Sequence, residues 1–185
     1  SGGAVLTSVS ADGAVAFDTS FGNLTVNNLI TPSDTIFMTD GAGLGATLTI
    51  GQITDAGLTT VEASVSDGKL VLGSAASQLA QAGLTVNGPV GNLTVFASGA
   101  GDTINGQDGV NAITANGAGD RINVGFGANT ITANGAGDTI TVGVHATGLL
   151  AIPAAQAIHA AGVGDTITIA TKAADGSAIT WANTI

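Results

Sequence analysis

Asp102, Asp120 and Asp138 recur at a spacing of eighteen residues, and each stands two residues before an isoleucine: Ile104, Ile122 and Ile140. Midway between them, Asn111 and Asn129 hold the same relation to Ile113 and Ile131. Carboxylates at a fixed interval on stacked strands would lie ~4.8 Å apart. Like charges that close repel unless a cation sits among them or they turn outward into solvent. Calcium suits the task, because it takes about six to eight oxygens and accepts the carbonyls that Gly-rich turns expose. The other chemistry open to these acids is to accept hydrogen bonds from turn N–H groups. Asn111 and Asn129 read as a buried amide ladder, donor to acceptor up the stack, or as further metal ligands. Asp108, just before Asn111, either adds a carboxylate to that edge or is solvated. Asp165, in Gly162-Val-Gly-Asp165-Thr-Ile167, repeats the Asp motif once more.

The elements that must position these residues follow from the spacing. Gly99-Ala-Gly-Asp102-Thr-Ile104 returns as Gly117-Ala-Gly-Asp120-Arg-Ile122 and as Gly135-Ala-Gly-Asp138-Thr-Ile140, with the Asn form interleaved. The unit is therefore nine residues, and periodicity of this kind signals a solenoid. In each unit the Asp/Asn-x-Ile-x segment predicts a short strand with its Ile inward and its neighbours outward. The glycines turn the chain. Two units make one coil, so the Asp-form strands stack in one sheet and the Asn-form strands in the opposite one. The fold class expected is all-β: a parallel β-solenoid or β-roll with nine-residue half-coils, preceded by an amino-terminal β-rich part with short helical turns.

Val124-Gly-Phe-Gly127-Ala-Asn129-Thr-Ile131-Thr132 resembles the hemolysin-type calcium-binding (RTX) repeat, Gly-Gly-x-Gly-x-Asp-x-apolar-x, with Asn in place of the family's calcium-binding Asp. In the Asp-form unit ending Asp138-Thr-Ile140-Thr141 the acid and apolar positions agree, and the glycines are displaced by one residue, to Gly135 and Gly137. The resemblance runs from Gly99 to Gly143. It implies a parallel β-roll with calcium at its turns, and so Asp102, Asp120, Asp138, Asp108, Asn111, Asn129 and Asp165 as the ligand candidates.

Residues 144–161 read as an excursion from the repeats. Pro153 through Ala161 predicts one short helix, with Pro near its start and Gly162 past its end. After it, Asp165 to Ile169 returns as a strand. Residues 1–98 form the β-rich amino-terminal part, continuous with the repeats of residues 99–185. It carries echoing strands, Gly22-Asn-Leu-Thr-Val26 and Gly91-Asn-Leu-Thr-Val95, and helical turns are expected at Ile53–Thr59 and Gln78–Thr85.

Composition narrows the function. Hydrophobic residues make up 44% of the 185 residues, enough for a core, while aromatics are 3% and charged residues 9%, which is not an ordinary enzyme's composition. A net charge of −10 with three basic side chains leaves no patch to neutralise phosphates, which excludes nucleic acid as a partner. No apolar run approaches the ~20 residues of a membrane-spanning helix, so membrane insertion is not expected. The absence of Cys removes disulfides and thiolate chemistry. The Thr-, Gly-, Ala- and Asn-rich chain, opening on Ser1-Gly2-Gly3 as a processed chain would, has the look of an exported bacterial surface protein. No nucleophile elbow, phosphate loop or dinucleotide fingerprint is present, Gly41 to Gly45 lacking the required spacing. His145 and His159 are expected at the surface or in packing, and Trp181 is expected to close the core.

Three functions fit. The first is a non-enzymatic, extracellular or cell-surface structural protein, a surface-layer or filament subunit, that polymerises by strand addition through its termini and is stabilised by calcium. The second is a calcium-binding module of a larger secreted enzyme or adhesin. The third is ice binding through outward threonines such as Thr130 and Thr132.

Overall fold

A computed structural model of the chain describes residues 3–31, 35–39, 45–54, 59–63, 68–143, 156–169 and 183–184. The strands of the amino-terminal half are β1 (Ala4–Ser10), β2 (Val15–Asp18), β3 (Leu24–Ile30), β4 (Thr35–Thr39), β5 (Thr47–Ile50), β6 (Ile53–Thr54), β7 (Thr60–Glu62), β8 (Lys69–Leu72), β9 (Thr85–Asn87) and β10 (Asn92–Ala97). The regular coils supply β11 (Thr103–Gly106), β12 (Ala112–Ala115), β13 (Arg121–Val124), β14 (Thr130–Ala133) and β15 (Thr139–Val142). Beyond them lie β16 (Gln156–Ala160), β17 (Thr166–Ile169) and β18 (Asn183–Thr184).

These strands wind into a β-solenoid with two parallel sheets. One runs β1-β3-β5-β8-β10-β12-β14-β16-β18, with β6 also on β3; the other runs β17-β15-β13-β11-β9-β7-β4-β2. The chain crosses from the first sheet to the second and back in each coil. As the nine-residue unit requires, the Asn-form strands β12 and β14 lie in the first sheet and the Asp-form strands β11, β13 and β15 in the second.

The period-2 alternation of each strand decides what fills the space between the sheets. Ile104, Ile122 and Ile140 stack in register in the second sheet, as do Val95, Ile113, Ile131 and Ile158 in the first, and all of them are buried. Ile122→Val removes one methylene from a column closed above and below. It is expected to cost about 0.5–1.5 kcal/mol in urea unfolding. Thr130→Ala, on the outer face of β14, is expected to stay within about 0.5 kcal/mol. Equal costs would contradict the inward and outward assignment.

Two expectations are corrected. The segment read as a helix over Pro153–Ala161 is, where described, strand β16, with Ile158 beside Ile131 and His159 beside Thr132. Its alternation of buried Gln156, exposed Ala157 and buried Ile158 is that of a strand, and pairing along β14 outweighs the local Pro and Gly signals. Residues 144–155, including His145, Leu149 and Pro153, lie outside the described residues, as does Trp181. The excursion thus no longer includes 156–161. Of the helical turns expected in the first half, residues 55–58 of the first lie outside the described residues, and the described residues of both turns hold no helix. Ile53 and Thr54 pair with Leu29 and Ile30, and Leu79 bridges in parallel to Ala97.

The amino-terminal half is the same solenoid with longer corners. Stacked partners there are separated by 24 residues at Asn23 and Thr47 and by 25 at Glu62 and Asn87, against 18 in the regular coils. The strands keep their alternation while the corners absorb the difference.

Candidate functional site

The acids sit at the corner where the chain passes from the first sheet to the second. Each opens a strand of the second sheet and reaches back to the preceding coil. Leu84 N–H donates to Asp102 Oδ1 (2.9 Å), Asp102 N–H to Asp120 Oδ1 (2.9 Å), Asp120 N–H to Asp138 Oδ1 (2.9 Å) and Asp138 N–H to Asp165 Oδ1 (3.0 Å). Asp102, Asp120 and Asp138 are fully buried. In Asp165 the second oxygen accepts the N–H of Gly162 (2.9 Å), three residues earlier. The corner therefore presents N–H groups to the side chain. An acceptor at Oδ1 suits it in all four acids, and Asp165 accepts at Oδ2 as well.

The asparagines occupy the opposite corner, where the requirement is reversed. Asn111 Nδ2 donates to Gln107 O (2.9 Å) and Asn129 Nδ2 to Gly125 O (3.0 Å), carbonyls four residues earlier. Their Oδ1 atoms accept from the coil before: Leu93 N–H to Asn111 (3.3 Å), and Asn111 N–H (3.3 Å) and Nδ2 (2.8 Å) to Asn129. An amide is needed because one atom must donate and the other accept. The ladder continues into Gln156, whose Oε1 accepts from Asn129 Nδ2 (2.9 Å) and whose Nε2 donates to Gly127 O. Sequence reasoning missed Gln156, and the signal was its 27-residue distance from Asn129, the same step that separates Asp138 from Asp165. Asp108 stands apart, half-buried, accepting the Phe126 N–H of the next coil (2.8 Å).

A third ladder, also missed, runs on the outer face of the second sheet. Asn123 Nδ2 donates to Asn105 Oδ1, Asn105 Nδ2 to Asn87 Oδ1, and Asn87 Nδ2 to Glu62, each at 2.8 Å. The 18-residue recurrence of Asn87, Asn105 and Asn123 was its signal. Beside it stand Thr60, Thr85, Thr103, Arg121, Thr139 and Thr166 in register. Paired outward threonines are thus confined in this sheet to β15 and β17.

Calcium would require several oxygens converging on one point. The structure brings the acids into one column but directs their Oδ1 atoms at backbone N–H groups. Among the described residues no three of His, Cys, Asp or Glu gather as a metal cluster. Asn111, Asn129 and Asp108 lie at the other corner, with their Oδ1 atoms also taken by N–H groups. The residues as arranged do not fit a calcium cage. Burial pushes the Asp102 carboxyl up to about 7, against the opposing pull of the Leu84 N–H, and the neighbouring Asp120 charge adds to the rise. Burial also raises Asp120, with the charge of Asp138 adding to it. His159 is exposed on the outer face of β16.

Comparison with known proteins returned no match: none to a family model, none among curated proteins and none among solved structures.

Proposed function

We propose that this chain is a non-enzymatic, exported structural protein that assembles with copies of itself. The observation that carries the reading is how the core ends. In the middle of the stack inward side chains such as Leu48, Leu93 and Ile122 have no exposed surface. In β1, Leu6 lies in register with fully buried Val26 and yet keeps 41% of its surface exposed. At the other end, Ile167 and Ile169 of β17 continue the inward columns of Ile140 and Val142 and are only half-buried. Among the described strands β1, β2 and β17 are each paired on one side. A strand from a second copy satisfies the free backbone groups and covers the apolar side chains. Val5 and Phe21 add exposed apolar surface at the β1 end. Within each sheet all strands are parallel, so such joins are head to tail and propagate. Export rests on composition: no Cys and a Thr- and Gly-rich, acidic chain.

The test blocks the β1 edge without touching the core. Ala4 N–H donates to Asn23 O on the β3 side, so the N–H of Val5, the next residue along the strand, points to the open side. Val5→Pro removes that donor. The unaltered chain is expected to form concentration-dependent polymers in sedimentation velocity and negative-stain images, and the variant to remain a monomer with the same far-ultraviolet circular dichroism. An unaltered chain that stays monomeric at high concentration, or a variant that polymerises equally, sinks the reading.

A further inference from the structure

Three oxygens of the acid column have no partner. While Oδ1 of Asp102, Asp120 and Asp138 accepts an N–H from the preceding coil, Oδ2 of each is buried without a hydrogen bond. An ionised carboxylate in that position holds part of its charge on a buried atom that makes no hydrogen bond, a costly state for a polar group. A proton on Oδ2 removes the charge and leaves Oδ1 free to keep its bond to the backbone.

The surroundings supply no other neutralising group. Asp120 faces Asp102 on one side and Asp138 on the other, and Asp138 faces Asp165. Below Asp102 lies the backbone of Leu84, whose side chain is buried in the apolar core. Arg121 follows Asp120 in the chain but points outward from β13 and is exposed. Lys69 and His159 are exposed on the outer face of the other sheet, and Asp108 is at the opposite corner with Phe126. No ion pair reaches the column among the described residues.

We propose that this corner of the solenoid is a proton-binding site: Asp102 and Asp120 take up protons at Oδ2 as the coils stack, so the stack tightens on acidification and a proton, not calcium, neutralises the column. This goes beyond the assembly reading and does not depend on it. The linkage has a definite sign. The folded chain binds protons that the unfolded chain releases above the ordinary carboxyl range, so stability is greatest at low pH and is lost as pH rises through the folded value. For Asp102 the window runs from 3.8 to about 7. The folded-to-unfolded ratio falls by up to about tenfold per pH unit for each proton retained.

The experiment is urea unfolding of the chelator-treated chain between pH 4 and pH 8, at high salt to screen surface charge. Asp102→Asn and the exposed Asp12→Asn are measured beside it. The expected result is a stability that falls with pH in the unaltered chain and in Asp12→Asn, with the slope reduced by about one proton in Asp102→Asn. Should Asp102→Asn fail to fold, the infrared carbonyl band of a protonated carboxyl, present in the folded unaltered chain at pH 6 and lost on unfolding, carries the same test. A slope that is flat or rises between pH 4 and pH 7, a missing band, or calcium at neutral pH stabilising as strongly as acid overturns the proposal.

Discussion

Replacing Gly117 by valine is expected to leave no folded protein. A Cβ at this position would fall inside the carbonyl oxygen of Gly99 in the coil below, and the same overlap recurs for Gly135 on Gly117 and for Gly162 on Gly135. The obstructing atoms are backbone, held by hydrogen bonds from the coils on either side, such as Asn116 N–H to Ala97 O (2.9 Å). They cannot rotate away as a side chain can. Opening the stack at this corner breaks the adjoining rungs of the ladder, which exceeds the roughly 5–15 kcal/mol of net stability a domain holds. Gly119, two residues on, separates the two roles of glycine. Its φ is 75°, and a Cβ there meets nothing within 4 Å. Gly119→Ala is therefore expected to cost only about 1–2 kcal/mol of backbone strain. Thermal melts by circular dichroism compare the two, and a Gly117→Val chain melting close to the unaltered one would mean the coils are spaced more widely than described.

Asn129→Asp is expected to be the most damaging isosteric change in the regular coils. It exchanges the donor that serves Gly125 O and Gln156 Oε1 for an oxygen facing both, at a site that is 1% exposed. Removing one side of a buried charged arrangement costs about 3–5 kcal/mol, and here no counter-charge was present to begin with. Protonation relieves the charge, so the loss should be largest at neutral pH and shrink towards pH 4, as read by denaturant midpoints. A variant as stable as the original at pH 8 would show that the asparagine corner does not discriminate donor from acceptor.

That distinction bears on how much of the molecule was legible in the sequence. The eighteen-residue return of Asp102, Asp120 and Asp138 against Asn111 and Asn129 placed them at opposite corners of one coil, and Ile104 to Ile140 on the inside, because spacing and period-2 alternation are all a parallel stack needs. What the sequence did not reveal is which backbone groups each corner turns inward. The acids therefore read equally well as cation ligands and as caps for N–H groups, and only the hydrogen bonds separate the two. The strand at Gln156–Ala160 was obscured because Pro153 and Gly162 are local signals, while the register with β14 is a contact across 27 residues. The amino-terminal coils were harder still. Corners of unequal length destroy the period, although Thr60, Thr85 and Thr103 stack as regularly as their successors.

Strands β1 and β18 lie at opposite ends of the same sheet, with every intervening strand parallel. Tension applied between them runs along the stack and so loads the coils in series, peeling one row of rungs at a time and not shearing many together. Each regular coil released is 18 residues of chain, about 60 Å of contour at ~3.3–3.6 Å per residue. The coil that spans Asp138 to Asp165 holds 27 residues and pays out half as much again. Under load the molecule is a spool whose regular coils give equal steps, while the amino-terminal coils of up to 25 residues and the 27-residue coil give longer ones.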